Sequence, residues 1–175
     1  MTLRTTAVAG ALCAALASPA LAHITLETSE APAGSAYKAV LRVGHGCEGA
    51  ATTAIRVQIP EGVIAVHPMP KQGWTLETKT GAYPEPVAYY DQTLTEGVQE
   101  ITWSGGELPD EWYEEFIFRV QLPDGEPGQV IYFPLVQECG ETTTRWIEIP
   151  AEGATEEPEE PAPGVTLTEA VSGDD

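Results

Sequence analysis

The chain has little positive charge: 8 Lys and Arg stand against 27 Asp and Glu among 175 residues, a formal charge of −19. A surface so poor in bases is a bad match for the polyphosphate of nucleic acid or for anionic lipid, both of which recruit Lys and Arg. Cations and basic surfaces are the expected partners instead. Long apolar runs are also missing, since nothing after residue 22 approaches the roughly 20 apolar residues of a spanning helix. Helical periodicity is absent too, with room for at most a turn or two over residues 108–115. No Ser/His/Asp set, phosphate loop or HExxH motif occurs, so no motif points to an enzyme.

What is present begins with a leader. Residues 1–22 combine a basic start at Arg4, an apolar run over 7–17 and a small-x-small site at Ala20-Leu21-Ala22, the pattern of a secretory signal peptide. Export to the periplasm is expected, with no membrane anchor in the mature chain. Cleavage after Ala22 makes His23 the first residue, so that one residue carries both a free α-amine and an imidazole and can chelate a metal.

Of three cysteines, Cys13 lies in the leader behind Leu12, where a lipoprotein signal needs a small residue. Cys47 and Cys139 remain, and an even pair in an exported protein reads most simply as a disulfide. It would close a loop of about 92 residues, which chain entropy values at roughly 4 to 5 kcal/mol. The rival reading is a His45/Cys47/Cys139 site for Cu(I) or Zn.

From 23 to 150 the sequence breaks into short runs rich in Val, Ile, Tyr, Phe and Thr: 37–43, 54–59, 63–66, 74–78, 87–91, 98–103, 115–122, 129–136 and 143–149. Short strands at this spacing predict an all-β fold, an antiparallel β-sandwich of immunoglobulin-like or cupredoxin-like type. Pro134 marks an edge or a bulge, because it cannot donate to a ladder. Residues 151–175 hold eight acids and no base, with Pro158, Pro161 and Pro163 interleaved, so a disordered acidic tail is expected there. Only Val165-Thr166-Leu167 within it has the character of a strand.

Alternation sorts the candidate chemistry. In EFIFRVQL the core phase is Phe116, Phe118, Val120 and Leu122, which turns Glu115 outward and puts Glu114 in phase with Phe116. In TTRWIEI the phase of Ile147 and Ile149 is taken as core, leaving Trp146 on the other face. At the mature terminus Ile24 and Leu26 point inward and His23, Thr25 and Glu27 outward. An amine, an imidazole and a carboxylate form a donor set suited to Cu(II), with an indole available to cover the ion. His45 reads as a turn residue beside the disulfide. His67 with Met69 is too sparse for a Cu(I) site, and Trp74, Trp103 and Trp112 read as packing residues.

These residues resemble the YcnI-like family of bacterial exported domains over 23–150. The likeness rests on the His directly after the leader, Lys71-Gln72-Gly73-Trp74 near Pro68 and Pro70, Thr102-Trp103-Ser104-Gly105-Gly106, Glu115-Phe116 after Leu108-Pro109, and Arg145-Trp146. The resemblance implies a β-sandwich that binds copper through one terminal histidine, a glutamate and a nearby tryptophan, which fall on His23, Glu115 and Trp146. It implies a periplasmic copper-binding protein acting in copper trafficking or homeostasis, with the copper ion and other periplasmic copper proteins as partners, rather than an enzyme. The alternatives are an oxidative copper enzyme of polysaccharide monooxygenase type, which needs a second histidine, and a metal-free envelope adaptor.

Overall fold

The computed structural model describes residues 23–151, 153–154 and 158–171, so the expected leader lies outside the described residues. Twelve strands and no helix occur among them: β1 Thr25–Leu26, β2 Glu30–Pro32, β3 Ala36–Val43, β4 Thr52–Gln58, β5 Ile64–Pro68, β6 Thr75–Tyr89, β7 Gln92–Leu108, β8 Glu114–Gln121, β9 Val130–Tyr132, β10 Leu135–Cys139, β11 Thr142–Trp146 and β12 Gly164–Thr168. They form a four-stranded sheet in the order β1-β3-β8-β5, a five-stranded sheet β11-β10-β4-β7-β6 and a small sheet β2-β12-β9. The all-β sandwich is as the sequence indicates.

The two larger sheets bury their alternating apolar faces against each other. Phe116 and Phe118 of β8 meet Trp103 of β7 at ring separations of 5.6 and 6.5 Å, and Phe118 reaches Phe133 at 5.5 Å. The indole N–H of Trp103 donates to the Met69 carbonyl at 3.0 Å, so this enclosed ring is paired as well as packed. Trp74 is partly buried against the same core, but Trp112 is 61% exposed and does not pack as expected. Pro134 does more than mark a bulge. The apolar run around it splits there, with β9 entering the small sheet and β10 the five-stranded one.

Two expectations need correction. The first concerns the tail. β12 lies inside 151–175, pairs in parallel with β2 and antiparallel with β9, and buries Val165 and Leu167 to 0% and 1% exposure. The acids that argued for disorder stop at Glu160, and the next one is Glu169. The stretch between them carries no charge to repel it from the core. Leu167→Ala should therefore cost about 2 to 5 kcal/mol in urea denaturation, the range for a truncated core leucine, where a mobile tail would show no change.

The second concerns the phase of β11. Trp146 is the inward residue at 5% exposure, while Ile147 and Ile149 are 45% and 56% exposed. Trp146 stands opposite Leu135, a core residue of β10, and so shares its face. The ladder ends at Trp146, after which Ile147 N–H bonds the Arg145 carbonyl in a tight turn, so the isoleucines lie beyond the alternation used to place them.

Candidate functional site

β1 has two residues, and its inward Leu26, with Ile24 just before the strand, anchors this stretch of the chain in the core. That anchoring holds His23 at a fixed place. Its half-buried ring meets Trp146 edge to face, with centroids 5.9 Å apart and planes at 67°. The structure thus joins the first residue after the expected leader to the end of β11, two pieces far apart in sequence. His45 packs against the same indole, at 6.2 Å and 74°.

Cys47 and Cys139 are bonded to each other, with their Cα atoms 5.8 Å apart. Sulfurs in a disulfide are not thiolate ligands, so the His45/Cys47/Cys139 metal site falls. The loop before Cys47 is pinned elsewhere as well: Gly46 N–H donates to Asp110 Oδ1 at 2.9 Å, and His45 Nδ1 bonds the Gly46 carbonyl at 2.5 Å. A Cβ on Gly46 would stand 1.8 Å from the Ala50 carbonyl oxygen, so only glycine fits that approach.

Glu115 is outward on β8, as alternation indicates, and lies in a cross-strand row Thr25–Arg42–Glu115 over β1, β3 and β8. β3 separates β1, which follows His23, from β8, which carries Glu115, so these two strands stand roughly 10 Å apart.

Glu114 and Glu115 have separate tasks. Glu114 pairs with Lys71 at 2.8 Å and accepts the Glu115 N–H at 2.9 Å. Partial burial works to raise its carboxyl, yet the Lys71 hydrogen bond and charge and the backbone donor prevail and hold it below the usual range. Lys71 also donates to the Glu115 carbonyl at 2.9 Å, which leaves the Glu115 side chain to other contacts. Tyr113 hydroxyl donates to Glu115 Oε1 at 2.7 Å. Loss of water, that hydrogen bond and the carboxylate charge push the phenol up to about 12, so it stays a donor at neutral pH.

His67 lies exposed on β5 opposite Arg119, and Met69 follows that strand, which gives neither a partner set for copper. No group of three or more His, Cys, Asp or Glu able to hold a metal occurs among the described residues.

Fold and site together define an immunoglobulin-like β-sandwich with a histidine-tryptophan cluster at one end. The chain belongs to the family described as a domain of unknown function, DUF1775, whose model matches residues 23–167 and so takes in most of β12. Among solved structures it is similar to a crystal structure of an uncharacterized protein from Nocardia farcinica with an immunoglobulin-like fold, at 27% identity and a TM-score of 0.62, covering 83% of this chain and 98% of that one. No curated protein matches.

Proposed function

We infer that the mature chain begins at His23 in the periplasm and binds Cu(II) through the amine and ring of that residue and the Glu115 carboxylate, beside the indole of Trp146. Its role is copper trafficking or homeostasis. The observation that carries this reading is the edge-to-face packing of the His23 ring on Trp146, which joins two of the three residues of the set. Two nitrogens and a carboxylate oxygen suit a tetragonal ion, and Cu(II) is the strongest divalent binder of such a set. The resemblance to YcnI-like proteins, which fall within the DUF1775 family, supports the same assignment. The acidic surface favours a cationic cargo.

His45 beside the same indole favours a second reading, since an oxidative copper enzyme needs a second histidine. Pulsed electron paramagnetic resonance of the Cu(II)-loaded protein separates the two. One imidazole coupling, with no ascorbate- or peroxide-driven cleavage of a polysaccharide, is expected of a carrier. Two couplings with turnover would make the protein an enzyme, and no specific Cu(II) binding would leave the metal-free adaptor.

A further inference from the structure

Gln137 and Thr52 are the buried polar residues among those described, both at 0% exposure. Gln137 occupies the core phase of β10 between Leu135 and Cys139, where an apolar side chain would meet no desolvation cost. A buried amide is tolerable only if its oxygen and its N–H groups are paired. Here Oε1 accepts the indole N–H of Trp146 at 2.9 Å, and Nε2 donates to the His45 carbonyl at 2.8 Å and to Thr52 Oγ1 at 2.7 Å. One side chain therefore ties together the last residue of an edge strand, the loop that carries His45, and β4.

These are the pieces that most need a tie. β11 has a single neighbour in its sheet, and His45 lies outside the ladders. Both histidine rings pack on the indole that the amide holds, so the amide sets the plane against which they rest. The side-chain chemistry is specific. A carboxylate could accept from the indole but could not donate to a carbonyl, and methionine would fill the volume while doing neither.

The geometry points to Gln137 as a positioning residue for the copper site, fixing the Trp146 indole and, through the His45 carbonyl, the adjoining loop before the ion arrives. This rests on the copper reading of His23. Residues that orient a metal site without touching the ion are typically worth about 10- to 100-fold in affinity.

The test uses the full mature chain with its disulfide intact, as wild type and Gln137→Met. Four quantities are measured: Cu(II) affinity by chelator competition, the copper resonance spectrum, exchange of the Trp146 indole N–H in copper-free protein, and the urea midpoint. The indole N–H of wild type should be protected before copper is added. In Gln137→Met it should exchange faster, with Cu(II) binding weakened about 10- to 100-fold and the copper spectrum altered. A purely structural glutamine would lower the urea midpoint and leave affinity and spectrum unchanged, and that result overturns the proposal. If Gln137→Met does not fold, wild-type exchange decides: an unprotected indole N–H overturns the clamp. Should wild type bind no Cu(II) through His23, the copper reading fails and takes this proposal with it. Equal binding by wild type and Gln137→Met sinks the proposal alone.

Discussion

Glu115→Gln is expected to weaken Cu(II) binding by about a hundredfold, the upper part of what even an indirect contact to a metal ligand is worth, while Glu114→Gln leaves it unchanged. The two residues are adjacent, and composition does not separate them. The strand does: alternation sends Glu115 to the outer face in the row with Thr25, and Lys71 takes up Glu114 at 2.8 Å. Glutamine keeps the shape and removes the charge and the stronger oxygen donor. Its effect should therefore appear in copper affinity and hardly in stability. Loss of the Glu114 pair is a surface effect, about 0.2 to 1 kcal/mol in urea, since that carboxylate is substantially exposed. Competition titration of both variants checks the pair, and a larger copper loss in Glu114→Gln would move the ligand by one residue.

The second large effect concerns the disulfide. Replacing Cys47 and Cys139 together by alanine should lower stability by about 2 to 5 kcal/mol, because the bond closes a loop spanning 92 residues. Both positions are buried, so the loss includes packing as well as chain entropy. The consequence for the site is more specific. Cys47 follows His45 and Gly46, and Cys139 follows Gln137 by two residues on β10, so the bond fastens the loop to the strand that holds the indole. Urea denaturation of the double variant against the oxidised parent measures the first effect. A difference below about 1 kcal/mol would mean that the denatured chain gains little from the link.

The residues differ in how legible they were. In β8 Phe116, Phe118 and Val120, continued by Leu122 just past the strand, alternate without interruption, so the face of Glu115 follows from period alone. In β11 the ladder ends at Trp146, so period alone does not place Ile147 and Ile149, and the indole takes the inward position. A tryptophan buries more area and here finds an acceptor for its N–H in Gln137. In the tail the mean charge over 151–175 hides an uncharged stretch, since the acids leave 161–168 untouched. The His45 contact with Trp146 is invisible in the sequence, since the packing of a loop on a strand about 100 positions away leaves no local pattern. Gln137 did leave one: a polar residue in the apolar phase of Leu135 and Cys139 requires buried partners, and asking for them would have drawn attention to the neighbouring strand.

In the proposed site the His23 amine can act as a ligand only once the expected leader is removed. The most direct measurement compares the protein beginning at His23 with the same protein acetylated on its α-amine, each titrated with Cu(II) against a competing chelator. Acetylation is preferable to adding residues, since an amine placed just upstream of a histidine builds a new copper chelate through the intervening amides. The α-amine, with a pKa about 2 to 3 units below that of lysine, can be modified selectively. Strong binding by the free amine with one ion per chain, lost on acetylation while the fold is retained, is the expected result. Equal binding by the two forms would contradict the account.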